Sequence, residues 1–281
     1  MTQEEIVKFQ EKILSWYIEN KRDLPWRTTK DPYKILVSEI MSQQTQISRV
    51  IPKYEAWLQK FPDVQSLATA PVSEVLIYWS GLGYNRRALN LQKAAKILAK
   101  QYSLNDERSS QRLLRTIKWP KTTRELTKLP GIGQYTASAV ACFAFDAQIP
   151  VIDTNIRKVI AAEFFQGQLP DEKTIADIAR EILPKGRASE WNQALMDYSS
   201  LVLKTIKIPI AKQSHFKSSD RWYRGQTVKL LLEIKRISFS GLLDYFADKN
   251  PIDGERLETI LSKLAKDGLV DYEDNAISMR E

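Results

Sequence analysis

The stretch Leu129-Pro130-Gly131-Ile132-Gly133-Gln134-Tyr135-Thr136-Ala137 decides how this chain is read. It lies between two helical patterns, at about 121–128 and 134–145. Pro130 stops the first, and Gly131 and Gly133 let the backbone turn tightly and come close to a ligand. The second helix then presents N–H groups and the positive end of its dipole. Such a turn suits a nucleic-acid phosphate held by main-chain donors, which fixes a duplex without reading its sequence. An ordinary helix–helix turn would use the same residues, so the surroundings must decide.

Outward from that turn the chain is helical almost everywhere. Residues 3–18 place Ile6, Phe9, Ile13, Leu14 and Tyr17 on one face. Further helical patterns run at about 31–42, 46–60, 71–79, 84–102, 109–115, 153–164, 171–182 and 188–204, punctuated by Pro and Gly. No alternating strand run is expected before residue 268. The spacing predicts a mainly α fold of many short helices, and 281 residues suit one large domain or a main domain plus a small one.

Charge marks the boundary. The 42 basic and 34 acidic residues give +8 and a pI near 9.3, which permits a polyanionic partner without requiring one. The excess is concentrated at 204–236, where nine basic residues face only Asp220 and Glu233, and it reverses after 237. A basic linker is therefore expected at about 205–220, with a small domain over 221–281. That tail reads as a winged helix: helices at 222–235, Ser240–Ala247 and Gly254–Lys266, then a hairpin of Leu269–Tyr272 and Ala276–Met279. In winged domains that bind DNA the third helix enters the major groove. Here Glu255 and Glu258 offset Arg256, Lys263 and Lys266, and the wing is acidic, which favours docking or stabilisation over groove reading.

Several classes are excluded. A single cysteine, Cys142, leaves no disulfide framework, no cysteine zinc site and no Cys-ligated iron–sulfur cluster. The lone His215 is not a metal site, and no metal is expected. The longest apolar stretch, Ala139 to Phe145, is too short for a bilayer, and Met1 to Lys21 lacks a basic region followed by an apolar block. The expectation is a cytoplasmic or nuclear protein, nucleoid-associated in a prokaryote.

Two carboxylates stand out. Asp153, in Pro150-Val151-Ile152-Asp153-Thr154-Asn155, sits at a helix start. It reads as an N-cap, and because that geometry points the carboxylate out of the helix, a chemical role is compatible with it. Glu39 lies among apolar neighbours in Leu36-Val37-Ser38-Glu39-Ile40-Met41, which would desolvate it and raise its pKa, as a proton donor near neutral pH requires. A structural glutamate at a helix edge is the other reading. The run Gln43-Gln44-Thr45-Gln46 that follows is uncharged and amide-rich, suited to touching base edges.

Six ordered motifs carry a family resemblance: Leu24-Pro25-Trp26-Arg27, Ser38–Gln46, Gly81-Leu82-Gly83-Tyr84, Leu129–Gly133, Asp153-Thr154-Asn155 and Trp191-Asn192-Gln193-Ala194-Leu195-Met196-Asp197. Over about residues 5–204 the chain resembles the MutY-type adenine DNA glycosylases of the helix-hairpin-helix (endonuclease III) superfamily. The resemblance implies a two-lobed helical fold with the DNA cleft between a six-helix barrel, about 27–136, and a second lobe of 1–26 plus 137–204. It implies base excision repair: hydrolysis of the N-glycosidic bond of adenine mispaired with 8-oxoguanine or guanine, in double-stranded DNA with that nucleotide flipped out.

Carried over, Glu39 would protonate the departing adenine at a ring nitrogen and Asp153 would stay ionised to stabilise the charge on the sugar. Tyr135 stands where bifunctional relatives carry a Schiff-base lysine, so a monofunctional enzyme is expected. Arg27 and Asp197 would line the base pocket. Gln44, Thr45, Leu82 and Tyr84 would contact or wedge the opposite strand, Gln43 is expected among the DNA-binding residues, and Gly131 and Gly133 would hold phosphate. A monomer is expected.

The chain departs from the family in two places. The family's four cluster cysteines would fall near Leu203, Ile210, Gln213 and Ser219, so no iron–sulfur cluster is expected. The only cofactor the family pattern leaves is a structural monovalent cation at the hairpin. Lys204, Lys207, Lys212, Lys217, Arg221 and Arg224 would supply cations to phosphate instead, unless they form a solvated linker. The tail is also too short for the nucleotide-hydrolase-like domain through which the family recognises 8-oxoguanine. The alternatives are a mismatch thymine/uracil glycosylase of the same superfamily and a non-catalytic DNA-binding protein.

Overall fold

The computed structural model describes residues 1–103, 118–206 and 215–280. In chain order these form α1 (Gln3–Asn20), a 3-10 turn (Pro25–Arg27), α2 (Pro32–Ser42), α3 (Ile47–Lys60), α4 (Val64–Thr69), α5 (Val72–Trp79) and α6 (Arg86–Ser103). They continue with α7 (Thr123–Leu126), α8 (Gln134–Phe145), α9 (Thr154–Phe164), α10 (Glu172–Glu181), α11 (Ala188–Leu201) and α12 (Asp220–Ile234). Last come β1 (Arg236–Ser238), α13 (Phe239–Ala247), α14 (Gly254–Asp267), β2 (Val270–Glu273) and β3 (Ala276–Met279). The mainly α expectation holds. The helix expected at 109–115 lies outside the described residues.

The helices start where short polar side chains satisfy their first N–H groups. Thr2 and Glu5 close a capping box on α1, and Thr122 with Glu125 closes another on α7. Asp63, Asp153, Asp171, Ser219, Ser238 and Asp253 cap α4, α9, α10, α12, α13 and α14.

The chain divides into two compact units, residues 1–39 with 119–211, and 40–118 with 212–281. In the first, α1, α9, α10 and α11 bury Phe9, Ile13, Leu14, Ile156, Val159, Ile160, Ile175, Trp191 and Leu195 in one cluster. Each such side chain contributes on the order of 1.5–3 kcal/mol on full burial. The α8 helix is apolar on every side, with Thr136 through Phe143 all buried, which makes it a central helix of this unit.

The second unit packs α3 to α6 around Val50, Trp57, Phe61, Leu67, Leu76, Trp79, Leu91 and Leu98. Trp57 and Trp79 meet edge to face, ring centroids 5.6 Å apart. The same unit carries the winged helix expected at the C-terminus: α12, α13 and α14 with a sheet of order β1-β3-β2. Tyr223, Leu231, Leu242, Phe246, Leu257, Ile260, Leu264, Val270 and Ile277 form its core.

Three elements differ from the expectation. A strand does occur before residue 268: β1 pairs antiparallel with β3, Ile237 opposite Ile277. Its three residues are too few to show an alternating pattern, and only the partner strand makes them β. The short α4 carries no expected helix either. Its six residues are fixed by the reciprocal Asp63–Ser66 cap rather than by periodicity. The helix expected from residue 84 begins at Arg86, because Tyr84 has a left-handed backbone with φ 47°.

Candidate active site

Glu39, Tyr135 and Asp153 come together within the first unit, each delivered by a different helix. Glu39 rides on α2, Tyr135 on the first turn of α8 directly after the glycine turn, and Asp153 is the N-cap of α9. The phenol of Tyr135 donates a hydrogen bond to the Glu39 carboxylate. Burial pushes the Glu39 carboxyl up to about 7; the Tyr135 hydrogen bond and the charge of Arg27 pull it back, while the Asp153 charge pushes it further. The Tyr135 phenol itself is held well above its ordinary value, first by burial and then by the Glu39 and Asp153 charges, so it remains a donor.

Asp153 is an N-cap and a site carboxylate at once. Its Oδ1 accepts from the Ile156 N–H at 2.8 Å and its Oδ2 from Asn155 Nδ2 at 2.7 Å. Burial raises its pKa, and these hydrogen bonds oppose that rise by favouring the ionised form. The two carboxyls therefore differ in kind: Glu39 keeps a proton near neutrality, and Asp153 has donors committed to its anion.

The approach to Asp153 is fixed by Asn192, which is fully buried on α11. Its Oδ1 accepts from the Val151 N–H at 2.8 Å, and its Nδ2 donates to the carbonyls of Ile149 (3.1 Å) and Ala188 (2.8 Å). One amide so fastens the segment leading to Asp153 onto α11. Cys142 also lies within reach of Nδ2, at 3.5 Å; its thiol is buried and pushed up to about 11 by desolvation.

Arg27 and Asp197, expected to line a base pocket, are paired with each other. Asp197 has no exposed surface and accepts a bidentate hydrogen bond from Arg27, at 2.6 and 2.7 Å. Arg22 adds its Nε at 2.5 Å and its backbone N–H at 2.9 Å. Burial alone would raise the Asp197 pKa, but Arg27, the Arg22 N–H and the two positive charges bring it below the usual carboxylate range. The pair also fixes Arg27, whose charge acts on Glu39.

The glycine turn has the expected geometry. Gly131 has φ 76°, in the left-handed region that favours glycine, and Gly133 is the N-cap of α8 with no side chain to cap it. A Cβ built on Gly133 would meet no atom within 4 Å. The protein itself therefore does not demand a glycine there, and a closely approaching ligand would.

In the second unit, Gln44 and Tyr84 both adopt left-handed backbones, φ 53° and 47°. Tyr84 is 44% exposed, whereas Leu82 is packed inside at 5%. The Oγ1 of Thr45 donates to the Gln43 carbonyl at 3.1 Å. Sequence reasoning missed three side chains that organise these places: Arg22, Asn192 and Arg87. Asn192 lay inside a quoted motif, and Arg87 just beyond another.

The residues at the cluster positions do not suit an iron–sulfur centre. Leu203 is aliphatic, and Ser219 Oγ caps α12 and donates to the Phe216 carbonyl at 2.6 Å. Ile210, Gln213, Lys207 and Lys212 lie outside the described residues. Among the described residues no group of three or more His, Cys, Asp or Glu side chains could hold a metal ion, and no helix is long and apolar enough to cross a membrane.

Residues 37–185 match the family model described as HhH-GPD superfamily base excision DNA repair protein. The chain is 34% identical over 283 residues to the adenine DNA glycosylase of Mycolicibacterium smegmatis, covering 92% of this chain and 91% of that one. It is also 34% identical over 238 residues to the adenine DNA glycosylase of Mus musculus, of which it spans 44%. Among solved structures, a thermostable thymine-DNA glycosylase aligns with a TM-score of 0.62 at 27% identity, covering 71% of this chain and 88% of that one. A non-covalent endonuclease III–DNA complex aligns with a TM-score of 0.59 at 18% identity over 82% of this chain and 99% of its own, a likeness of fold.

Proposed function

The chain belongs to the HhH-GPD superfamily of base excision DNA repair proteins, and within it to the adenine DNA glycosylases; from this we propose that it hydrolyses the N-glycosidic bond of adenine mispaired with 8-oxoguanine or guanine in duplex DNA. The observation that carries the chemistry is a glutamate with its carboxyl raised to about 7, hydrogen-bonded by Tyr135 and set beside a second carboxylate.

Adenine is a poor leaving group as an anion, so the bond must be weakened by a proton. Glu39 supplies it to a ring nitrogen of the base, and a pKa near the working pH is the best compromise between holding the proton and giving it up. As the C1′–N9 bond breaks, positive charge grows on the sugar. The Asp153 carboxylate, whose anion is favoured by Ile156 N–H and Asn155, stabilises that charge electrostatically. Water then adds to C1′ and loses a proton, leaving free adenine and an abasic site.

Tyr135 has no amine and its phenol keeps its proton, so no Schiff base forms and the enzyme is monofunctional. The Gly131–Gly133 turn and the start of α8 hold a phosphate of the DNA.

Single-turnover excision from duplexes bearing A:8-oxoG, A:G, T:G or U:G, with and without alkali, tests this reading. Strand cleavage at adenine only after alkali supports it. Release of thymine or uracil moves the protein to the mismatch branch, and binding without release of any base defeats the catalytic reading.

A further inference from the structure

Arg87, in the first turn of α6, has its guanidinium inside a cage of carbonyl oxygens. Nη1 donates to Ile40 (2.7 Å), Met41 (3.2 Å) and Gln43 (2.7 Å). Nη2 donates to Leu82 (2.8 Å) and Gly83 (3.2 Å), with Thr45 Oγ1 at 3.4 Å. The group lies 5.2 Å from the Trp79 ring and 5.7 Å from that of Tyr84. Burial lowers its pKa, the Tyr84 charge acting against that, and its Nε is buried with no hydrogen-bond partner.

A half-buried cation is costly unless something answers its charge. The partners here are backbone oxygens and the Thr45 hydroxyl; two of the carbonyls are at the end of α2, where carbonyls lack an intrahelical donor and the helix dipole is negative. The others belong to 43–45 and 82–84, which carry the left-handed non-glycine residues Gln44 and Tyr84. Such conformations persist only where the surroundings over-determine them.

We propose that Arg87 is a positioning residue that braces the segments 43–45 and 82–84 into one recognition element, so that Gln44 and Tyr84 meet the strand opposite the target base together. This rests on the glycosylase reading for its second half only. Lysine cannot reproduce the brace, because a single ammonium has no planar fork to reach both sets of carbonyls. Tyr84 receives a second hold from the winged-helix domain: Arg221 Nη1 donates to its Oη at 3.0 Å. Arg86, the residue before Arg87, lies 3.6 Å from Asp267 of the same domain.

The test uses the full chain with Arg87→Lys and Arg87→Met. Hydrogen exchange should accelerate in 40–46 and 81–84 together, by about tenfold or more in the methionine variant. The dissociation constant for the A:8-oxoG duplex should rise about tenfold and discrimination among opposite bases should fall, with Arg87→Lys still folded and single-turnover excision at saturation falling far less than binding. Loosening of one segment alone, or of both with unchanged opposite-base discrimination, overturns the proposal. A lower melting temperature with unchanged binding does so too. If the unaltered protein released no adenine, the function reading would fall, while joint or separate exchange would still decide whether Arg87 is a brace.

Discussion

The phenol of Tyr135 points its proton at the carboxylate of Glu39. That contact works against the purpose of the acid, because a donor aimed at a carboxylate favours its ionised form. Burial wins, and the carboxyl stays near 7.

Removing that hydrogen bond should therefore shift a pH profile rather than abolish a reaction. Tyr135→Phe takes away an influence that lowers the Glu39 pKa, so the alkaline limb of single-turnover excision should move to higher pH. The rate at its optimum should fall by about tenfold or less. A downward shift of that limb would contradict the assigned geometry.

Glu39 itself should show opposite effects on activity and stability. Its pKa is raised from 4.5 to about 7 in the fold, so folding is penalised increasingly as pH rises from 4.5 through 7. Glu39→Gln should lower excision by about a thousandfold. It should also raise stability at pH 8 by about 1–3 kcal/mol, with no gain below pH 4. Denaturant melts at the two pH values read the difference.

Asp197 should behave in the reverse sense. Its pKa is depressed, so its contribution is present at neutral pH and is lost as pH falls through the depressed value. Asp197→Asn leaves Arg22 and Arg27 without their counter-charge and should cost about 3–5 kcal/mol. The variant's stability should then depend less on pH under acid conditions than that of the unaltered protein.

Gly133→Ala separates ligand approach from fold. The added methyl meets nothing in the protein, so the melting temperature should reflect only the weaker N-cap, about 1 kcal/mol or less. Affinity for duplex DNA should fall by about tenfold, read by fluorescence anisotropy at fixed salt.

What the sequence disclosed here follows from the range of the interactions. The glycine turn and the cap at Asp153 are set by residues within a few positions, and the apolar neighbours of Glu39 announce the burial that raises its pKa, so each was legible; the parts that Tyr135, Asp153 and Arg27 play in that pKa come from farther along the chain. Arg22 was not, since its partner Asp197 lies 175 residues away. Asn192 works through backbone atoms some forty residues distant, and Arg87 through carbonyls that no side-chain pattern announces. The buried state of Asp197 and Leu82 likewise depends on packing that only the folded chain defines. The strand β1 exists only because β3 returns to pair with it.

Cys142 is the chain's one thiol, sealed against Asn192 in the centre of the first unit. Oxidants react with thiols that are ionised and exposed, so a thiol kept protonated and out of solvent is a poor target for them. The same burial makes the molecule ready for spectroscopy. A cysteine introduced at any exposed position would be the single site to react, so a dye or spin label could follow either unit without first removing a native sulfhydryl.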